Sequence, residues 1–208
     1  MTTTKIKLAS PMQRLDLMSS KDYAQYYVEK HTKQASGLPG NYRYIGSPAI
    51  CGVNGGESPF DGYAEMYYED IATISAAYTS PAWEKARRDH PSIVAGRIMF
   101  IVEEHEYLTP PPIGSGAVKY LAFLSRRDTM SKHDFDDYWL EKHVPLALKT
   151  PGLRGYRACI GLCSANGDSL LRDIPDAPQF DGVVEMWFES VEAFEDSFRQ
   201  PHWDDMRS

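Results

Sequence analysis

The sequence contains one long pattern twice, and this duplication constrains its fold more than any other feature. Residues 26–44 read YYVEKHTKQASGLPGNYRY and residues 138–156 read YWLEKHVPLALKTPGLRGY, so the Glu-Lys-His triplet and the Pro-Gly pair recur 112 positions later. Further along, FDGYAEMYYED at 60–70 recurs as FDGVVEMWFES at 180–190, now 120 positions later. The motifs keep the same order in both halves. Such a duplication predicts two copies of one structural unit.

The boundary between the copies is the segment 109–116, TPPPIGSG. Three prolines followed by glycines and a serine do not continue a helix or a central strand, so we interpret this segment as a linker between a first repeat at 1–108 and a second repeat at 117–208. The second repeat has no counterpart of GRIMFIVEEHEYL, the strand-like end of the first. Either the sequence is truncated or a strand is borrowed. We favour truncation, because an unpaired sheet edge promotes aggregation.

Each repeat is predicted to have the same order of elements. A first strand leads to a helix that begins at a capping serine, Ser19 or Ser131, and carries one stripe of aromatic residues. Two strands and a second helix follow, and in the first repeat a fourth strand closes the unit. The predicted ranges are 6–17, 42–49, 63–68 and 71–88 in the first repeat, and 117–126, 155–162, 183–188 and 191–206 in the second. The order βαββαβ is the split ferredoxin-like unit of an α+β protein.

The third strand of each repeat predicts how the two units meet. In YAEMYY and VVEMWF, alternate residues point to opposite faces of the sheet, and both faces are largely apolar. One face can pack on the helices of its own repeat, whereas the other needs a second sheet. The two fused ferredoxin-like repeats are therefore predicted to form an intramolecular dimeric α/β barrel.

The composition excludes several classes of protein. A net charge of −7 and an isoelectric point near 5.4 argue against a nucleic-acid partner. The N-terminus lacks the apolar core of a signal peptide and no apolar run approaches ~18 residues, so we expect no membrane association and a cytoplasmic location. The three cysteines lack Cys-x-x-Cys spacing, which favours free thiols over a metal site. No metal or organic cofactor is expected.

Taken together, YWLEKHVPL, TPGLRGY, FDGVVEMWF and PHW in the second repeat, with weaker versions in the first, resemble the EthD family of dimeric α/β-barrel proteins. Family members normally build the barrel from two chains, which are fused in tandem here, and a further homodimer is possible. The resemblance implies kinship with muconolactone isomerases, polyketide cyclases and small fungal dehydratases or decarboxylases, which use acid/base chemistry without organic cofactors. The first repeat departs from the family pattern, since Thr32-Lys33 stands where the second has Val144-Pro145.

His143 is the first candidate catalytic residue. It lies four residues after Trp139 on the aromatic stripe and near the end of its helix, where a histidine can act as a general acid or base. The structural alternative is a histidine that hydrogen-bonds a neighbouring strand and fixes the helix end. His31 is its counterpart in the first repeat. We prefer His143, because its surroundings match the family better.

Three carboxylates are further catalytic candidates. Glu65 and Glu185 lie on faces otherwise lined by Tyr, Val and Trp, where burial favours the protonated form and can suit a carboxyl group for proton transfer. The alternative is an ion pair with a nearby lysine or arginine, such as Lys7 or Lys119 on a first strand. Asp181, like Asp61, precedes a glycine, and a role in shaping the turn is favoured over a role as an acid at the cavity mouth.

The sequence thus predicts a cofactor-independent lyase or isomerase that acts on a small aromatic or polyketide-like compound. His143, aided by Glu185, would move a proton next to a carbonyl and give dehydration, isomerisation, cyclisation or decarboxylation. The residues expected to bind the substrate are Tyr156, Tyr44, Trp139, Trp187, Tyr63 and Tyr67. Two alternatives stay open, namely a barrel that binds haem through one of the helix histidines and a non-catalytic ligand-binding protein.

Overall fold

The structure is a computed structural model that describes residues 4–163 and 180–199. The described residues fall into two compact units: the first contains Lys5–Val102, and the second contains Glu103–Gly161 and 180–199. The division falls inside a strand, Phe100–Leu108, and not in the proline-rich segment 109–116. The end of the first sequence repeat is therefore grouped with the second repeat.

The first unit begins with strand β1 and helix α1, which is made of three consecutive segments. Ser19 caps α1 as predicted, since its hydroxyl accepts a hydrogen bond from the backbone N–H of Asp22 at 3.1 Å. The sheet is antiparallel in the order β2-β3-β1, with β4 beside β1. The elements are β1 (Thr4–Arg14), α1 (Ser20–Tyr26, a π-helical segment Tyr27–His31, and Thr32–Ala35), β2 (Arg43–Pro48), β3 (Gly62–Tyr68), α2 (Ile71–Tyr78), α3 (Pro81–Ala86) and β4 (Val94–Arg97).

The predicted single helix over 71–88 is two helices. The hydroxyl of Ser80 accepts a hydrogen bond from the backbone N–H of Trp83 at 3.2 Å, and Pro81 occupies the first turn of α3. Both features start a new helix at this point. A 3₁₀ turn, Arg87–Ser92, follows α3 and carries His90 towards the sheet.

The second unit repeats this design on a four-stranded sheet with the order β5-β7-β8-β6. Strand β5 is the fourth strand of the first sequence repeat, and its residues from Glu103 onwards belong to this unit. Within the described part of the chain, β6 is the last strand of the order, so no strand occupies the place of a fourth strand of the second repeat. The elements are β5 (Phe100–Leu108), β6 (Val118–Leu124), α4 (Lys132–Tyr138, a π-helical segment Trp139–His143, and Val144–Ala147), β7 (Gly155–Cys163), β8 (Gly182–Phe188) and α5 (Val191–Phe198).

Each unit has a hydrophobic core between its sheet and its helices. The first core contains Tyr27 of α1 with Met66 and Tyr68 of β3, and the second contains Trp139 of α4 with Met186 and Phe188 of β8. Burial of each large side chain stabilises the fold by roughly 1.5–3 kcal/mol. Every residue of β3 and β8 is buried, which confirms the prediction that both faces of these strands are covered. The predicted α+β class with two ferredoxin-like repeats is confirmed.

Candidate functional site

The Glu-Lys-His triplet lies in a π-helical turn in both units. The backbone N–H of Thr32 donates to the carbonyl of Tyr27, and that of Val144 donates to the carbonyl of Trp139, so both bonds span five residues. Single π-turns inside α-helices are rare and occur frequently at functional sites. The wider turn also places His31 and His143 nearly one full turn after an aromatic residue that faces the core.

His143 is half-buried, and its side chain makes no hydrogen bond, ion pair or ring contact with any described residue. Burial lowers its pKa below the ordinary value of 6.5, because the protein interior disfavours the charged imidazolium. The imidazole is therefore neutral at physiological pH and able to accept a proton. The structural alternative for His143, a hydrogen bond to a neighbouring strand, is not seen within the described chain.

His31 differs from His143 in burial and in ring contacts. Only 4% of its surface is exposed. Its ring stacks on Tyr27 with centroids 5.3 Å apart, and it contacts the ring of His90 at 5.3 Å. These ring contacts in a buried cluster favour the structural interpretation for His31.

His90 and Arg97 join this cluster, and the sequence pattern did not identify either of them. His90 is largely buried beside Trp83, with ring centroids 5.6 Å apart. The guanidinium of Arg97 lies 2.9 Å from His90 Nδ1 and stacks over Trp83 at 4.9 Å. Burial, with the charge of Arg97 in second place, lowers the pKa of His90 to about 3.

Two buried polar groups stand out on the helix-facing side of the second unit. Tyr156 and Trp139 are at most 2% exposed, and neither the hydroxyl nor the indole N–H has a hydrogen-bond partner of normal geometry among the described residues. Burial raises the pKa of Tyr156 well above its usual range, while the indole N–H of Trp139, which lies beside the phenol oxygen, acts in the opposite direction. The ring of Tyr107, on β5, meets that of Tyr156 edge-on at 6.3 Å. Both groups are therefore hydrogen-bond donors enclosed by aromatic surface.

Tyr44 takes the equivalent position in the first unit. Its hydroxyl lies 3.3 Å from that of Tyr27, so the two phenols are hydrogen-bonded to each other. Burial raises the pKa of Tyr44 to about 12. The predicted ligand-binding residue of this unit therefore already has a partner within the protein.

The structure does not bring the candidate histidines and glutamates together. Tyr44 pairs with Met66, and Tyr156 pairs with Met186, on the helix-facing side of each sheet. Glu65 and Glu185 are the neighbouring residues along these strands, so their side chains point to the opposite face. Tyr63, Tyr67 and Trp187 share that opposite face. Because His143 is carried by a helix and Glu185 points away from the helix-facing side of the sheet, this geometry does not favour the predicted assistance by Glu185, which stays a prediction.

The two glutamates are instead parts of buried ion pairs, which was the alternative weighed from the sequence. Glu65 accepts a hydrogen bond from Lys7 Nζ at 2.9 Å, and both side chains are completely buried. In the second unit Arg157 takes the central position, with its guanidinium 3.7 Å from Glu185, 3.4 Å from Glu104 and 2.8 Å from Glu106. The guanidinium also lies over the ring of Trp187 at 5.1 Å. These arrangements give both glutamates a structural role.

The same cluster contains a thiol. Ligand atoms of Glu104, Cys159 and Glu185 all lie within 4.8 Å of one another. Carboxylates and a thiol could together hold a cation, but Arg157 already places a positive charge among them. The expectation of no metal site stays a prediction. Cys51 is an exposed free thiol, and Cys159 forms no disulfide.

Asp61 and Asp181 each precede a strand and form hydrogen bonds with an arginine at the end of the neighbouring strand. The carboxylate of Asp61 accepts hydrogen bonds from the backbone N–H of Arg14 at 2.9 Å and from its guanidinium at 2.8 Å. Asp181 binds the backbone N–H and guanidinium of Arg126 in the same way. Both carboxylates are committed to this contact, so the turn-shaping role favoured from the sequence fits the geometry better than an acid role for Asp181.

Two repeats, each an antiparallel sheet with helices on one face, place the chain in the dimeric α/β-barrel class with a ferredoxin-like fold. The model of the EthD domain matches residues 16–96 and again 127–206. The chain therefore belongs to the EthD family, with the domain present twice.

Solved structures with a similar fold have low sequence identity. An anthrone oxidase-like protein is 14% identical, with a TM-score of 0.61 over 98% of this chain and 81% of that chain. An EthD family protein from Bacillus halodurans is 20% identical, with a TM-score of 0.38, over 49% of this chain and 96% of that chain. At such identities the likeness shows the fold alone. No curated protein matches the sequence. Among the described residues, no helix has the length and apolar character needed to cross a membrane.

Proposed function

We propose that the protein is an acid/base enzyme that acts next to the carbonyl group of a small, flat aromatic or polyketide-like compound, on the helix-facing side of its second unit. One observation carries the proposal. A neutral imidazole without a partner in the described chain, that of His143, lies one π-turn from Trp139, and Trp139 and Tyr156 present two buried donors whose contact with each other falls short of normal hydrogen-bond geometry.

The general base in this proposal is His143. A base must be unprotonated and reachable, and His143 is half-buried with a lowered pKa. His31 is enclosed by Tyr27 and His90 and is not proposed to react. From the sequence, His143 was preferred over His31 because its surroundings match the family pattern better. Its lowered pKa and the absence of a partner within the described chain support the same preference.

The hydroxyl of Tyr156 and the indole N–H of Trp139 would hold the carbonyl oxygen. A buried donor without an acceptor costs about 1–3 kcal/mol in the folded protein, and a ligand oxygen recovers this energy. Donors aimed at an oxygen that gains charge stabilise the transition state, typically by about 2.7–4 kcal/mol for each donor. Phe135, whose ring contacts Trp139 at 5.7 Å, and Tyr107 supply apolar surface suited to a flat ring.

The proposed step is proton transfer from carbon. A ring nitrogen of His143 takes the proton from the carbon next to the carbonyl. The C–H electron pair forms the new C=C bond, and the carbonyl π-electrons move to the oxygen, which Tyr156 and Trp139 hold as an enolate. The imidazolium of His143 then returns the proton. Delivery to another carbon of a conjugated enolate gives isomerisation, and delivery to a β-hydroxyl lets it leave as water while the enolate electrons restore the carbonyl and form the new C=C bond, which gives dehydration. A placed base of this kind contributes roughly 10²–10⁴-fold to the rate.

The name of the anthrone oxidase-like relative refers to an aromatic ketone, the same class of compound that the proposed site would hold. That name describes the relative, and here it supports only the choice of ligand class. The choice between lyase and isomerase chemistry, a homodimer and a cytoplasmic location stay predictions.

The test is exchange of α-hydrogens for deuterium in 2-tetralone, a flat bicyclic ketone, followed by proton NMR in D₂O. The wild-type protein is expected to accelerate exchange over buffer, and His143→Gln is expected to remove roughly 10²-fold or more of this acceleration. His31→Gln is the matched control from the first unit and should keep it, provided that circular dichroism shows a folded protein. Full exchange by His143→Gln, or no acceleration by the wild type, would contradict the proposal.

A further inference from the structure

Strand β6 is the counterpart of β1 in the repeat. Ala9 of β1 pairs with Glu65 of β3, and Leu121 of β6 pairs in the same way with Glu185 of β8. Strand β1 has β3 on one side, and β4 and β5 on the other. Strand β6 has β8 on one side, and no strand of residues 4–163 or 180–199 lies on its other side. The second unit therefore has a strand edge that the first unit covers.

Every second residue of β6 directs its backbone groups towards this edge. The carbonyl of Leu124 accepts a hydrogen bond from the N–H of Asp181 at 2.7 Å, so Leu124 directs its backbone towards β8. Because backbone groups alternate between the two edges of a strand, Phe123 directs its own away from β8. The counterpart of Phe123 in β1 is Pro11, whose carbonyl accepts a hydrogen bond from the N–H of Ile98 at 3.0 Å. The first unit thus uses this edge for strand pairing.

Strand β6 is apolar and only half-buried. Leu8 and Ala9 of β1 are 1% and 0% exposed. Their counterparts Tyr120 and Leu121 are half-buried, as is every other residue of β6. Exposed strand edges in proteins are usually protected from pairing by proline, by charges or by bulges. Strand β2, which has a strand on one side only in the described chain, ends at Pro48. Strand β6, VKYLAFL, contains no proline and a single charge, which favours a strand as its partner.

We infer that β6 forms a homodimer interface, at which it pairs antiparallel with β6 of a second copy of the chain about a two-fold axis at Leu121. Pairing in this register places Lys119 opposite Phe123 of the second copy, so like charges do not face each other. It also places Tyr120 opposite Ala122, a large side chain beside a small one. An interface of identical surfaces closes as a dimer, whereas pairing with a different edge would continue into filaments.

Sedimentation equilibrium of the whole chain between about 1 and 300 µM tests this interface, which does not depend on the function proposed for the second unit. We expect a reversible monomer–dimer equilibrium at micromolar concentrations, because the pairing of two strand edges buries a small area. Phe123→Pro removes an N–H that faces the open edge, and Pro11 shows that a strand of this design accommodates proline at this position.

Phe123→Ala is the matched control, because both variants lose the contact of this ring with Phe180 at 5.0 Å but only alanine keeps the N–H. The two-fold symmetry removes the same hydrogen bond twice, so Phe123→Pro should dimerise roughly tenfold more weakly than Phe123→Ala. Circular dichroism of both variants shows whether the fold is retained.

A disulfide cross-link reports the register and decides the matter if Phe123→Pro does not fold. Residues that exchange both hydrogen bonds across an antiparallel pair have Cα atoms about 5.5 Å apart, which a disulfide spans. In a Cys51→Ser/Cys163→Ser background, Leu121→Cys should therefore form a reducible dimer on mild oxidation, whereas Leu148→Cys at the exposed end of α4 should not.

Three results would overturn the inference. The first is a wild-type chain that stays monomeric throughout the concentration range, which includes the case that another segment of the same chain covers the edge. The second is equal dimerisation of folded Phe123→Pro and Phe123→Ala. The third is a Leu121→Cys variant that cross-links no faster than Leu148→Cys.

Discussion

Acid should destabilise the first unit through His90. Burial and the charges of Arg97, His31 and Arg87 lower its pKa from 6.5 to about 3 in the folded protein. Between these values the unfolded chain binds a proton that the folded chain does not. The contribution to stability is therefore complete above pH 6.5 and is lost progressively as the pH falls towards about 3.

The size of the effect follows from the same two values. Between pH 7 and pH 5 the unfolded histidine gains most of a proton while the folded one gains almost none, which costs about 2 kcal/mol of unfolding free energy. This figure hardly changes for any folded pKa below ~4. For a chain of this size, it corresponds to a fall in melting temperature of roughly 4–8 °C.

The assay is thermal unfolding by circular dichroism at several pH values, compared between the wild type and His90→Asn. Asparagine offers Arg97 an acceptor but does not titrate, so its melting temperature should fall less between pH 7 and pH 5. The control is His133→Asn, because the His133 side chain is 83% exposed and should leave the pH dependence as it is in the wild type. Equal pH dependence of His90→Asn and the wild type would refute the reasoning.

Two further changes test the packing of the sheets. Gly182→Ala would place its Cβ 2.3 Å from the Trp139 ring. We therefore expect the free energy of unfolding, measured in urea, to fall by about 1–3 kcal/mol and ketone binding in the second unit to weaken. Unchanged stability would contradict the close approach. Lys7→Met removes the buried partner of Glu65 and should cost about 3–5 kcal/mol, whereas Lys33→Met at an exposed position of α1 should be neutral in the same urea titration.

The repeat was sufficient to predict the order of the first three strands and of the serine-capped helix in each copy, because two copies of a pattern show which residues belong to the shared design. The contact between Arg14 and Asp61 could also have been found in this way. Arg126 and Asp181 repeat the same two residue types at the ends of the same two strands. The break before α3 was signalled by Ser80-Pro81, a cap followed by proline, but was missed.

Other features had no signal in the pattern. The π-turn is defined by a backbone hydrogen bond between residues that are five apart along the chain. This difference from an α-helix leaves the spacing of apolar residues almost unchanged. The approach of His90 to His31 joins a helix to a distant 3₁₀ turn, and tertiary packing alone decides it. The sequence does show on which face Glu185 lies, since Met186 beside it belongs to the core under the helices and strand alternation sends Glu185 to the other face.

The pH profile of α-hydrogen exchange in 2-tetralone tests the central claim most directly, namely that an uncharged His143 on the helix-facing side removes the proton. The account predicts an exchange rate that is constant above neutral pH and falls in acid with an apparent pKa below 6.5, and this acid limb should disappear in His143→Gln. An acid limb that persists unchanged in His143→Gln would assign the proton transfer to another group and contradict the account.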